Sequence, residues 1–441
     1  MKLTIAKADL MEALKVVSAC KATTGSDLSA HYLFNVFPPA GDVKDVRVEL
    51  AAYSGQTFAS SPISGVKVEG DDANAFTIEG WRLEKWLGAL PDDGQALVFT
   101  YTPSESKTVE ARATKGAQQF DSLDPTKFPS WDEVVGKSTV TGTLPASLLY
   151  SILDYAKDFV GDDETKHAEQ TVVECRKGKY TLPKKNPDDK DEKPVEIDVG
   201  IVYAMDGMHA VQIKSPLLKD CTMRIHGKDL KGILAFLATL KNGMVDLLED
   251  LPADGGEPTT LFLRPHPDAV RSLHLSVYGE NRFTTPFPEL GSPGPADHYS
   301  WSFPKEDALA ALPFLEAGAA EKDKKVRLAQ HDDVVQMSMR TPRGVWVPLE
   351  IPSAAPVKVE DAPDLPSDGF MVNKDSFKAA LKSMPGETPQ VGVNKHGRGG
   401  YLRFTREEGP NGEILLGGKL NGVEVEADKR TIYLTVVAWV K

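Results

Sequence analysis

Lysines at 374, 378 and 382 recur once per turn on one face of the helix predicted for "VNKDSFKAALKSM" (372–384). A row of ammonium groups suits a phosphate polymer, because it answers charge density without reading bases. Other stretches carry groups able to do chemistry of a different kind. "GDDETKHAEQ" (161–170) gathers Asp162, Asp163, Glu164 and His167, and carboxylates with a histidine can hold a divalent metal. No second ligand cluster accompanies them, and a charged loop at a helix end explains them, so the expectation is no metal. "VVGKST" (134–139) ends like a phosphate-binding loop, but Trp131 stands where that loop needs its first glycine. "NKHGRGGYL" (394–402) has three glycines and no following helix, which predicts a hairpin turn. No nucleophile is accompanied by a recognisable base. The residues point to binding rather than catalysis, with no cofactor.

Composition sharpens the question. The 441 residues carry a net charge of −13, which weighs against indiscriminate wrapping of nucleic acid unless the basic residues are segregated onto one surface. The hydrophobic share, 41%, is ordinary for a globular protein. No apolar run is long enough to span a bilayer, and "MKLTIAKADLM" does not read as a signal peptide. The expectation is a cytoplasmic protein without membrane contact. Cys20, Cys175 and Cys221 lie far apart, and suit a reducing compartment rather than a disulfide framework.

The elements that would position the lysines repeat along the chain. In "LTIAKADLMEALKVV", Leu3 and Ile5 alternate as in a strand, and Leu10 and Leu14 share a helix face. The same ruler fits Phe76, Ile78, Leu83 and Leu87; Met223, Ile225, Leu230 and Leu234; and Phe370, Val372, Phe377 and Leu381. It fits more loosely at Gly142, Leu144, Leu149 and Leu153, and at Trp301, Phe303, Ala308 and Leu312. The anchors 5, 78, 144, 225, 303 and 372 are separated by 73, 66, 81, 78 and 69 residues. Such regularity is the mark of an internal repeat. Alternating segments such as "DVRVELAAYS" and "TIYLTVVAWV" follow the helices, so each unit reads as strand, helix, then about three strands. Strands in series predict mostly antiparallel sheets, an α+β class. Six units pair into three similar domains, 1–137, 138–297 and 298–441, each a doubled β-α-β-β-β unit. "LPKKNPDDKDEKPVE" (182–196) is expected to be a solvated insertion in the middle domain.

This organisation resembles the bacterial sliding clamp, the beta subunit of DNA polymerase III. The likeness rests on "MKLTIAKADLMEALKVVS" at the start, "FDSLDPTKFPSWDEV" closing the first domain, "VYAMDGMHAVQI" in the second and "YGENRFTTPF" leading out of it. It covers essentially the whole chain. The resemblance implies half of a head-to-tail ring, completed by a second copy, with antiparallel sheets outside and helices lining a hole for duplex DNA. Lys15, Lys21, Arg82, Lys85, Lys157, Lys228, Lys231, Lys305, Lys374, Lys378 and Lys382 would face the DNA, with Lys166 and His167 on a DNA-touching loop. The stripe 374, 378 and 382 is expected to be exposed. The resemblance also implies a pocket for short peptide motifs of DNA polymerase and the clamp loader. By position it would use Gly207, Met208, His209, Ala210, Pro293, Asn373, Ser376, Tyr401, Val436, Val437, Ala438, Trp439 and Val440. Met208-His209-Ala210 departs from the family's His-Arg-Leu, and "VVAWVK" replaces its usual ending. Phe120 on one side and Phe314 with Leu315 on the other would form the dimer interface. Two other functions fit the residues: a clamp-like scaffold that does not encircle DNA, and a metal-dependent nuclease using Asp162, Asp163 and His167.

Overall fold

The structure is a computed structural model of the chain. It describes all residues except 23–26, 39–45, 55–56, 71–74, 92–93, 104–106, 129–137, 162–170, 182–192, 194, 207–208, 241, 251–259, 267–272, 278–297, 321–323, 354–355, 359, 361, 385, 397–398, 411–412, 416–418, 422, 427–428 and 441.

Each stretch fitted by the hydrophobic ruler is a strand that leads to a helix. Lys2–Ala6 precedes α1 (Lys7–Val17), Ala75–Glu79 precedes α2 (Gly80–Ala89), and Thr139–Pro145 precedes α3 (Ala146–Ala156). Arg224–His226 leads through a short 3-10 turn to α4 (Leu230–Leu240). Tyr299–Ser302 precedes α5 (Lys305–Gly318), and Phe370–Asn373 precedes α6 (Lys374–Ser383). Every residue fitted by the ruler is buried except Gly142, which is partly exposed. The reason is geometric: alternate strand residues share a face, and helical residues four apart share another, so one core receives all four. Burying one such Phe or Leu contributes about 1.5–3 kcal/mol.

Among the described residues three main strands follow each helix, apart from short ones such as Lys67–Glu69, Val357–Lys358 and Ile414–Leu415. They are His31–Phe37, Arg47–Tyr53 and Thr57–Pro62 after α1, and Ala96–Tyr101, Thr108–Ala113 and Gly116–Asp121 after α2. Val172–Thr181, Glu196–Met205 and His209–Ser215 follow α3; Met244–Glu249, Thr260–His266 and Leu273–Val277 follow α4. Lys325–His331, Val334–Arg340 and Trp346–Pro352 follow α5; Gln390–His396, Gly399–Glu408 and Thr431–Val440 follow α6. The charged insertion joins two strands of a hairpin in which Thr181 lies opposite Glu196.

Pairing is antiparallel and reciprocal. The leading strand of repeat one pairs with Ala96–Tyr101 of repeat two, and the leading strand of repeat two pairs with His31–Phe37 of repeat one. Repeats three and four make the same exchange, as do five and six. The third strands form a second set of joints. Leu273–Val277 of repeat four pairs with Thr57–Pro62 of repeat one, and His209–Ser215 of repeat three pairs with Thr431–Val440 of repeat six. Among the described residues, the third strands of repeats two and five, Gly116–Asp121 and Trp346–Pro352, end their sheets with one edge unpaired.

The chain forms two compact units, Met1–Tyr150 with Lys228–Gly279, and Ser151–Gly227 with Glu280–Lys441. In the first, Phe34 stacks on Phe76 at 4.8 Å and leans on Phe99 at 5.4 Å. In the second, Trp301 meets Phe303 and Phe370 edge-on, and Phe377 meets Phe404. No helix among the described residues is long and apolar enough to cross a membrane.

Candidate functional site

The basic residues on the helices divide into two groups. Lys15 on α1, Lys85 on α2, Lys231 on α4 and Lys382 on α6 are exposed, as is Lys228 just before α4. Lys157 is exposed too, and shares its charge with Asp154 one turn earlier. Lys378 is half-buried. In the first unit α1 packs against α4, and in the second α5 packs against α6, so helices from different repeats lie side by side.

The second group is engaged within the protein. Lys21 leaves only 8% of its side chain exposed; its ammonium lies 3.8 Å from Glu84 and 5.9 Å from the Tyr32 ring centre. It passes so close to Gly80 that a Cβ there would meet its Cδ at 2.2 Å. Arg82 bonds to the Gln119 carbonyl, pairs with Glu79 and Asp121, and covers the Phe120 ring. Lys305 donates to the Met384 carbonyl at 3.0 Å. Lys374 corrects the expectation of an exposed stripe: its side chain is 10% exposed, clamped by Glu316 and near Asp375. A cation in the first turn of a helix faces the positive end of the dipole, and the Glu316 carboxylate from α5 offsets it. Burial opposes the charge on Lys374, but hydrogen bonding to Glu316 and the nearby carboxylates outweigh it and hold the pKa above the ordinary lysine value. The hydrogen bond and charge of Lys374 hold the Glu316 carboxyl below its usual value. Lys166 and His167 lie outside the described residues, as do Asp162, Asp163 and Glu164. No group of three or more metal-ligating side chains occurs among the described residues.

The residues expected to form the peptide pocket converge on one strand. Thr431–Val440 pairs along its whole length with Gly399–Glu408, and on its other edge first with His209–Ser215 and then with Phe370–Asn373. This places Ala210 opposite Val436, His209 opposite Val437, Tyr401 opposite Ala438, and both Gly400 and Val372 opposite Trp439. Val440 lies opposite Met371 and Gly399. Asp206 closes the turn between Glu196–Met205 and His209–Ser215: its N–H donates to the His209 carbonyl at 3.0 Å, and its carboxylate accepts from the His209 backbone N–H at 2.8 Å. The same carboxylate lies 2.9 Å from His209 Nδ1, which fixes the ring. The His209 side chain is 1% exposed, and its Nε2 meets no hydrogen-bond partner among the described residues. Asn373 is the N-cap of α6, accepting from the N–H groups of Asp375 and Ser376, and Ser376 is buried. Gly207, Met208 and Pro293 lie outside the described residues.

Sequence reasoning missed the support beneath this strand. Glu408, fully buried, accepts hydrogen bonds from Tyr433 and Ser151 and is paired with Arg406. The Arg406 guanidinium lies 5.0 Å from the Tyr433 ring centre. Burial pushes the Tyr433 hydroxyl pKa up, so it remains a donor. The signal was present only as a charge pair at 406 and 408 in an alternating strand, which ordinarily marks a solvated face.

Of the dimer candidates, Phe314 is 68% exposed. Phe120 and Leu315 are core residues, with Phe120 set edge-on to Trp86. This corrects their expected place at the surface: each lies on the inward phase of its strand or helix.

No protein-family model matches the sequence, and no curated protein matches it. Solved structures do match over the full length. The DNA polymerase III beta subunit of Thermotoga maritima aligns with a TM-score of 0.69 at 12% identity, covering 100% of this chain and 99% of that one. The DnaN sliding clamp of Bartonella birtlesii, bound to griselimycin, aligns at 0.68 and 12% identity, covering 100% of this chain and 99% of that one. The Streptococcus pneumoniae beta chain aligns at 0.68 and 14% identity with the same coverage. The chain has the fold of the bacterial beta clamps from end to end.

Proposed function

We propose that this chain, sharing the fold of those clamps, is itself a sliding clamp: a non-catalytic ring around duplex DNA that tethers a DNA polymerase and other DNA-processing proteins. The observation that carries the proposal is the set of third strands. Repeats one and four are joined through theirs, and so are three and six. Those of two and five remain as edges among the described residues. An unpaired edge invites another strand, and the same antiparallel joint made between copies, head to tail, closes a ring of two chains. Closed symmetric assemblies are the rule among homo-oligomers. Each chain would contribute three domains, 1–137, 138–297 and 298–441, as the reciprocal exchange of leading strands within each pair of repeats supports.

The exposed lysines of α1, α2, α4 and α6 then line the hole and meet phosphates without reading sequence. The acidic remainder of the surface repels DNA and leaves the hole as its path. Short peptides from polymerase and loader dock beside Thr431–Val440. Tethering works through effective concentration. The test is retention on closed circular DNA: the protein should stay at high salt and slide off once the circle is cut. Equal loss from both forms would favour the scaffold that does not encircle DNA.

A further inference from the structure

The hairpin between Val334–Arg340 and Trp346–Pro352 is set by its own chemistry. The Gly344 N–H donates to the Thr341 carbonyl at 2.8 Å, and the Val345 N–H donates to the Thr341 hydroxyl at 3.1 Å. Pro342 presets the first turn residue, and Gly344 takes the left-handed conformation at φ +82. Arg343 is thereby presented at an exposed, rigid tip.

Beside the turn opens a cavity of about 720 Å³, lined by Lys325, Arg340, Arg343, Trp346 and Met371 among others. Its described lining carries three cations and no carboxylate, on a chain whose net charge is −13. Val326, Leu328 and Met339 point into the core, so their strand neighbours Lys325, Arg327 and Arg340 occupy the opposite face. Arg327, held by Ser338 at 3.2 Å, places its guanidinium 4.6 Å from the Trp346 ring centre.

The geometry points to a binding site for a nucleotide unit, its phosphate held by Arg340, Arg343 and Lys325 and its base stacked on Trp346. Guanidinium groups match phosphate oxygens in pairs, and an indole backed by a cation is a stacking platform for any base. An acidic peptide would use the cations and leave the ring without a role. The phosphate and base have two sources, a single DNA strand or a free nucleoside triphosphate. The inference does not rest on the chain encircling duplex DNA, although Trp346 opens the edge strand that a ring would join to a second copy.

The test uses the full chain and a labelled oligothymidine of about ten nucleotides, read by fluorescence anisotropy. Arg343→Glu and Trp346→Ala should each weaken binding about tenfold, while Trp346→Phe keeps most of it. Replacing the exposed helix lysines Lys15, Lys85, Lys231 and Lys382 should leave oligothymidine affinity intact. Displacement of the label by nucleoside triphosphate at equal nucleotide concentration identifies the free nucleotide as ligand, and its failure identifies the strand. Unchanged affinity in both Arg343→Glu and Trp346→Ala overturns the proposal. So does loss of binding in the helix-lysine variant, or displacement by oligoglutamate as effective as by unlabelled oligothymidine.

Discussion

Replacing Lys15, Lys85, Lys231 and Lys382 together by glutamine would separate the cations proposed to meet DNA from those that serve the fold. All four are exposed helix residues, so the change should leave stability within about 0.5 kcal/mol. Each phosphate neutralised contributes about 0.9 to the slope of log affinity against log salt. Four lost contacts therefore flatten that slope by roughly three to four per subunit. Over a fourfold rise in salt, the wild-type protein should lose about a hundredfold more affinity than the variant for each subunit that contacts the duplex. The assay is equilibrium binding to a labelled duplex across a salt series. Lys21→Gln is the matched control. With its stem packed over Gly80 and its ammonium beside Glu84 and Tyr32, it should lower stability by about 1 kcal/mol and leave the slope alone. A slope unchanged in the fourfold variant, or flattened equally by Lys21→Gln, would refute the assignment of these helix faces to DNA.

Phe314→Glu should shift the protein from dimer to monomer in sedimentation at micromolar concentration with the fold intact. Phe120→Ala should instead cost about 3–5 kcal/mol of stability in denaturant titrations. Glu316 titrates below its ordinary value of 4.5 because of Lys374, so its stabilising contribution is present above that value and lost as pH falls through the folded pKa. Glu316→Gln should therefore remove part of the acid-induced loss of stability in urea titrations taken from about pH 6 to about pH 3. Trp439→Ala should leave the dimer in place and change affinity for polymerase-derived tail peptides about tenfold or more, measured by calorimetry; unchanged affinity would put the docking site elsewhere. Gly369 has φ +80, and a Cβ there would lie 2.3 Å from the Leu328 carbonyl oxygen, so Gly369→Ala should cost about 1–3 kcal/mol by thermal unfolding.

The repeat was legible in the sequence because its signal is local. Ile78, Leu83 and Leu87, or Val372, Phe377 and Leu381, declare a strand and a helix within ten residues of one another, and each is buried. What escaped depended on partners distant in the chain. Nothing near Lys374 announces Glu316, and nothing near Lys21 announces Glu84, so a lysine held in the fold reads like one facing solvent. Arg406 and Glu408 carry the pattern of surface charges on an alternating strand, and only the fold brings Ser151 and Tyr433 to Glu408. The positions expected around the peptide pocket were placed by resemblance alone. Their convergence on Thr431–Val440 follows from pairing across more than two hundred residues, a range no periodicity reports.

The reciprocal lending of leading strands sets an order of events on the ribosome. Lys2–Ala6 waits for Ala96–Tyr101 before it has its principal partner, and Thr139–Pro145 waits for Met244–Glu249. The first compact unit takes its last segment from residues 228–279, which emerge only after 151–227, the opening segment of the second unit, has been made. Neither unit can finish before the other has begun. Such distant closures are slow relative to local ones, and at about 5–20 residues per second the nascent chain spends several seconds with strand edges uncovered. The first repeat alone, cut from the chain, should remain an open template rather than a small domain.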